Sequence, residues 1–192
     1  MMMKGGADLI TWVQSEGRWT MWTAMIGSFV SLFGLQCVRH RTPHNMLVLG
    51  AFTLCESWMI GTICSMYYAN GMGILVLEAL ALTSIIFAGL TVFTMQSKID
   101  FSVMGPALFV SLLALIVWGL FARFFFASVV ASQVYALCGV VLFSLFIVYD
   151  THMVLKQYSY DEYIMGAIQL YLDIINLFLF ILELLGIKPR DD

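Results

Sequence analysis

Long apolar runs separated by short polar connections dominate the pattern of hydrophobic and polar positions along the chain. Six runs are long enough to cross a bilayer, a distance that takes a helix of about 20 residues. They lie at roughly 19–38, 46–67, 73–94, 104–122, 129–150 and 164–186. A backbone in lipid must satisfy its own hydrogen bonds, and no run alternates like a barrel strand. The pattern predicts an all-α fold, a polytopic membrane bundle of six transmembrane helices.

The connections between the runs are too short to hold a separate domain. We therefore expect a polar leader at 1–18, a helical bundle at 19–186 and a short polar tail at 187–192. The leader lacks the short apolar core of a cleavable signal, so the first run is expected to act as a signal anchor. A capping-box pattern at 159–162 predicts the start of the sixth helix.

Composition supports the membrane assignment and excludes other classes. The chain is 61% hydrophobic and 11% charged, whereas soluble chains carry about 25% charged residues. A net charge of −3 without a basic stripe gives no reason to expect nucleic-acid binding. The four cysteines show no metal-ligand spacing, and no bound cofactor is expected.

Basic residues in the connections predict the orientation. Arg39, Arg41, Lys98 and Lys156 fall on one side of the membrane, against Arg123 on the other. The positive-inside rule places the first group in the cytosol. Further basic residues near both ends of the chain conflict with an even helix count, so the side of each terminus stays open.

Two aspartates in the last third of the chain are the main candidates for function. Asp150 and Asp173 lie within or at the edge of apolar runs, where an acid costs about 2.5–3.5 kcal/mol to insert. They are 23 positions apart, so a hairpin turn near 160–163 would place them side by side. The capping box favours an earlier turn, which would offset them by several residues. Spacing alone leaves their contact open.

A paired arrangement would respond to pH. Two carboxylates about 4 Å apart repel by roughly 4 kcal/mol at an effective dielectric constant of about 20. The pair would keep one proton below neutrality and lose it above, titrating as a unit. No lysine or arginine lies deep in a predicted helix, so the interior suits protons or metal cations. A metal cation passing through this interior is expected to contact Asp150 and Asp173 transiently.

Three other polar residues are assigned to the predicted ion pathway. Glu56 lies in the middle of the second run, where a structural role is about as well supported as a functional one. Glu78 lies near the non-cytosolic end of the third run, where a side chain that reaches water is the favoured alternative. Asn176 shares a helix face with Asp173, and a hydrogen bond between helices is the favoured alternative for it.

Arg39 and Arg41 border the cytosolic end of the first helix, on the side where Asp150 emerges. They could simply set the topology, or one of them could form a latch with a carboxylate that closes a path from the cytosol. His152 stands two positions after Asp150 and could tune it.

Several motifs resemble those of the transmembrane Bax inhibitor motif family, and specifically its lifeguard, Golgi anti-apoptotic branch. The resemblance runs from about residue 30 to 186, and its strongest parts are 148–152, 161–163 and 170–178. Further matches are at 39–45, 52–57 and 89–102. The family usually has one more transmembrane helix before the first run.

The resemblance implies a calcium-leak channel in the endoplasmic reticulum or Golgi membrane that lowers store calcium and suppresses apoptosis. The family's paired aspartates match Asp150 and Asp173, and its latch arginine falls on Arg39 or Arg41. It also implies Ca²⁺ and protons as permeant ions, the bilayer and membrane proteins of cell-death control as partners, and no enzymatic activity.

Two functions of other classes compete with the channel. An intramembrane aspartyl protease also carries Tyr-Asp on one helix and an aspartate on the next. Tyr149 and Asp150 fit that pattern, but Leu172 stands where the protease has glycine before its second aspartate. The other alternative is a non-conducting adaptor that acts through partner membrane proteins.

Overall fold

The computed structural model describes residues 12, 17–38, 43–125, 128–158 and 163–187. These residues form six α-helices and one short 3-10 helix, which confirms the predicted all-helical fold. The helices are α1 (Arg18–Val38), α2 (His44–Ala69), α3 (Gly73–Gln96), the 3-10 helix (Ser102–Met104), α4 (Gly105–Phe125), α5 (Val129–Lys156) and α6 (Tyr163–Gly186).

Length and hydropathy agree with a membrane location. The helices α2 to α6 are each long and apolar enough to cross a bilayer, and α1 carries a shorter apolar stretch, Trp19–Leu35. Many large apolar side chains face outward, among them Phe33 (71% exposed) and Leu54 (74% exposed). Such surfaces are expected where lipid rather than water surrounds a helix.

The predicted end of the fifth helix at 150 is wrong. Helix α5 continues to Lys156, where Gln157 forms its C-cap. Asp150 therefore lies inside the helix, with Thr151 and His152 helical and buried beyond it. Hydropathy falls at these polar residues, but contacts with other parts of the chain keep them buried and helical.

The first compact unit extends to Val76 and is built on the pairing of α1 with α2. Leu35 and Phe52 are almost fully buried in it, each 1% exposed. The helices approach closely at Gly27, where a Cβ atom would lie 2.8 Å from the Cys55 sulfur. Glycine at this position leaves room for the neighbouring helix.

A tight turn joins α2 to α3. Asn70 caps α2, and Gly71 has a φ angle of +74°. This left-handed conformation is readily adopted only by glycine.

The second compact unit begins at Leu77 and is built around α5. Helix α6 packs along α5 as an antiparallel partner, and α4 packs on another side of it. Ile147, Leu177 and Leu182 form the most buried part of this packing, at 0%, 0% and 1% exposure. Gly105 in α4 lies against the Tyr149 hydroxyl of α5.

Gly139 of α5 lies directly against the Phe180 side chain of α6. A Cβ atom added there would overlap the ring of Phe180. That ring is held in place from two other sides, stacked on Phe143 at 5.6 Å and edge-on to Tyr135 at 5.5 Å between ring centroids. Gly139 therefore sets the separation of the two helices that carry Asp150 and Asp173.

Candidate functional site

Asp150 of α5 and Asp173 of α6 are brought together, with their carboxyl groups within hydrogen-bonding reach of each other. Each residue is 5% exposed. Two carboxylates have only acceptor oxygens, so a hydrogen bond between them would require one proton on the pair. The arrangement is a buried pair of acids that is able to share a proton.

The α5–α6 connection makes this contact possible. Helix α5 ends at Lys156 and α6 begins at Tyr163. The two helices are therefore joined by residues 157–162. Tyr158 just after α5 donates a hydrogen bond from its hydroxyl to Oε1 of Gln169, at 2.6 Å. This bond joins a residue just after the end of α5 to α6, one helical turn before Asp173.

Four buried side-chain polar atoms lack a hydrogen-bond partner among the described residues. They are the hydroxyl oxygens of Thr91 and Thr151, Nδ1 of His152 and Oδ2 of Asp173. Buried polar atoms are usually satisfied, and each one left unpaired costs free energy. Two of the four belong to the residues that directly follow Asp150 in α5, and one belongs to Asp173 itself.

The pair has no basic partner within the part of the chain that the structure describes. The ion pair found there joins His152 to Asp100 and involves neither Asp150 nor Asp173. The predicted latch arginines, Arg39 and Arg41, lie outside the described residues.

Asn176 and Gln169 stabilise the helices locally. The Asn176 side chain donates a 2.8 Å hydrogen bond to the Leu172 carbonyl of its own helix. Gln169 is used by the hairpin bond to Tyr158. Asn176 lies near Asp173 in α6 but uses its amide on its own backbone.

Glu56 and Glu78 have different surroundings. Glu56 is 8% exposed in the first unit, and its Oε1 accepts a 2.7 Å hydrogen bond from the Ser28 hydroxyl of α1. Glu78 near the start of α3 is exposed. The structure places these two acids in the two different compact units.

The Ser28–Glu56 bond gives a stability prediction. Replacing Ser28 with alanine should destabilise the protein by about 1–3 kcal/mol, because a buried carboxyl group loses its donor. Thermal unfolding in detergent measures the effect. Ser31→Ala is the matched control, since the Ser31 hydroxyl bonds only to carbonyls of its own helix.

Adding Glu56→Met to the Ser28→Ala variant should recover part of the loss, because both polar partners are then gone. A Ser28→Ala protein as stable as Ser31→Ala would show that the bond does not hold α1 against α2.

His152 makes a contact that sequence reasoning missed. Its Nε2 lies 3.0 Å from Oδ1 of Asp100, in the connection between α3 and the 3-10 helix. The two residues are 52 positions apart, so spacing carries no signal of their contact. The polar connection and a histidine beside Asp150 were the only available indications.

The described residues include no group of three or more metal-ligating side chains. Ca²⁺ in a resident site takes six to eight oxygen ligands, roughly. Asp150 and Asp173 together offer carboxylate oxygens for a passing cation rather than a full coordination shell. The predicted transient Ca²⁺ contact stays a prediction.

Comparison with known proteins gives a consistent match. The profile of the family described as "Inhibitor of apoptosis-promoting Bax1" matches residues 2–190. The chain is 42% identical to mouse protein lifeguard 4 over 160 residues, which is 83% of this chain and 65% of that protein.

Two further relatives come from distant organisms. The Golgi anti-apoptotic protein of vaccinia virus (strain Lister) is 40% identical over 167 residues, covering 87% of this chain and 68% of that protein. Bax inhibitor 1 of Schizosaccharomyces pombe is 38% identical over 181 residues, covering 94% and 66%. The chain spans about two thirds of the length of these relatives.

Proposed function

Since the chain belongs to the family of inhibitors of apoptosis-promoting Bax1, we propose that it suppresses apoptosis by letting calcium leak from an intracellular store. Its relatives are named for anti-apoptotic action, one of them at the Golgi. The proposed location is the endoplasmic reticulum or Golgi membrane. The bilayer, Ca²⁺, protons and membrane proteins of cell-death control are the proposed partners.

The placement of Asp150 and Asp173 against each other in a buried setting is what supports the proposal. Ionisable side chains at membrane depth are rare and typically mark an ion or proton path. An acid pair without a basic partner among the described residues attracts cations and repels anions.

The shared proton makes the pair a pH-dependent gate in this proposal. With one proton, the two carboxyl groups hold α5 and α6 together through their hydrogen bond. With no proton, two carboxylates about 4 Å apart repel by about 4 kcal/mol at an effective dielectric constant of about 20. Loss of the proton would favour separation of the acids and expose carboxylate oxygens to a cation.

The remaining candidates fill supporting roles in the proposal. Arg39 or Arg41 would close the cytosolic end of the route by pairing with a carboxylate. An arginine can bind a carboxylate through two parallel hydrogen bonds. Glu56, Glu78 and Asn176 would line the route that a cation takes.

A protease is the second candidate, because two hydrogen-bonded acids also resemble a catalytic aspartate dyad. A peptide bond must reach the water between two such acids. Tyr171 and Leu172 before Asp173 are bulky where close approach is needed, which favours ion passage over hydrolysis.

Calcium flux into liposomes containing the purified protein tests the proposal. We expect calcium flux in the unmodified protein. In Asp173→Asn the flux should fall at least tenfold or lose its dependence on pH. A tenfold fall corresponds to about 1.4 kcal/mol in the controlling step. Cleavage of a transmembrane substrate without flux would favour the protease. If a folded protein shows neither activity, a non-conducting adaptor replaces the channel as the proposed function.

A further inference from the structure

The connection between α3 and the 3-10 helix lies against the helix that carries Asp150. We call residues 97–101 the strap. The Asp100 carboxylate contacts the first residue of the 3-10 helix: its Oδ1 accepts a 3.0 Å hydrogen bond from the Ser102 backbone N–H. The same oxygen lies 3.0 Å from Nε2 of His152 in α5. One carboxylate thus contacts both the first residue of the 3-10 helix and His152 of α5.

Aromatic packing adds to this contact. Phe101 at the end of the strap is 9% exposed. Its ring meets His152 edge-on, with centroids 5.7 Å apart and an interplanar angle of 86°. Phe93 in the last turns of α3 packs on the other side of Phe101, at 6.1 Å.

The proton of the bond belongs to His152. The Ser102 backbone N–H and hydroxyl donate to Asp100 and hold the pKa of that carboxyl below its usual range, with a smaller contribution from His152. Asp100 is therefore an ionised acceptor at neutral pH. Because a carboxylate cannot donate, Nε2 of His152 carries the hydrogen.

The strap lies between the surface and buried polar groups of α5. The Asp100 side chain is 67% exposed and that of His152 is 3% exposed. Nδ1 of His152 and the Thr151 hydroxyl oxygen are buried without a hydrogen-bond partner among the described residues. His152 is two positions from Asp150, so their side chains lie on different faces of α5. Water entering beside His152 would reach polar groups that it could satisfy.

We propose that the strap is a gate element, held shut on α5 by the Asp100–His152 hydrogen bond, whose release admits water to the buried polar groups of Thr151 and His152 at the end of α5. The link to ion flow rests on the function proposed above. The strap itself is tested separately from conduction.

Substitutions at exposed Asp100 test the bond without disturbing buried packing. Asp100→Ser keeps an oxygen for the Ser102 N–H but is too short to reach His152, and Asp100→Asn keeps an acceptor for both. Hydrogen exchange of the amides at 99–104 should rise about tenfold in Asp100→Ser, as for loss of a hydrogen bond to a charged group. Asp100→Asn should stay within about threefold of the unmodified protein.

A matched pair at His152 tests the same bond from the other side. His152→Gln places an amide nitrogen near the position of Nε2, whereas His152→Asn places it near Nδ1 and too far from Asp100. We expect slow exchange in His152→Gln and fast exchange in His152→Asn. Equal exchange in Asp100→Ser and Asp100→Asn, or in the two His152 variants, would overturn the strap.

Access to this part of α5 is read at Thr151→Cys, with a membrane-impermeant maleimide and mass spectrometry of the peptide that contains residue 151. Adding Asp100→Ser should increase labelling about tenfold, and adding Asp100→Asn should not. Unchanged labelling with released strap amides would show that the strap does not cover this part of α5.

Calcium flux then separates the two proposals. Faster flux in Asp100→Ser than in Asp100→Asn supports the gate. If Asp100→Ser releases the strap but conducts no faster than Asp100→Asn, the proposed link between the strap and ion flow is overturned. If the unmodified protein does not conduct, the proposed function fails, and exchange and labelling still decide whether the strap covers Thr151 and His152 in α5.

Discussion

Replacing Asp173 with asparagine is expected to remove the pH dependence of the calcium leak. An asparagine amide can still donate to the Asp150 carboxylate, so the contact between α5 and α6 survives. The shared proton and the repulsion that follows its loss both disappear. Flux into liposomes measured between about pH 6 and about pH 8 should then be flat, whereas a one-proton switch changes the open population by up to tenfold per pH unit, roughly.

Asp150→Asn should have the same effect, because the proton belongs to the pair rather than to one residue. Glu78→Gln is the control, since Glu78 is exposed and lies on another helix. It should leave the pH profile in place. A pH profile that persists unchanged in both aspartate variants would rule out the pair as the sensor.

Enlarging Gly139 is expected to be the most disruptive change in the helix packing. Gly139→Leu places a branched side chain where the Phe180 ring lies, and that ring is confined by Phe143 and Tyr135. Overpacking of this kind costs about 1–3 kcal/mol and occasionally more. Thermal unfolding in detergent should show a clear loss of stability, and displacement of α6 should also weaken the aspartate contact.

Gly89→Leu in α3 is the matched control, because a Cβ atom there meets nothing within 4 Å. It should be neutral or slightly stabilising, since glycine is about 1 kcal/mol worse than alanine in a helix interior. Combining Gly139→Leu with Phe180→Ala should recover part of the loss. Equal stability of the Gly139 and Gly89 variants would show that the two helices have room to separate.

The sequence by itself determined the helical membrane fold and nearly all helix boundaries. This worked because a bilayer demands long apolar runs with internally bonded backbones, so hydropathy reports helices directly. It failed at the end of α5, where Thr151 and His152 are polar but buried by other parts of the chain. A local hydropathy signal does not contain such contacts.

The cost of burying an acid also singled out Asp150 and Asp173 from the sequence. Their contact depended on the α5–α6 turn and on the close approach at Gly139, so only the tertiary structure decided it. The Asp100–His152 bond is a stronger case, because its partners are 52 positions apart and on different elements. Periodicity describes one helix at a time, and contacts between distant segments arise only when those helices pack.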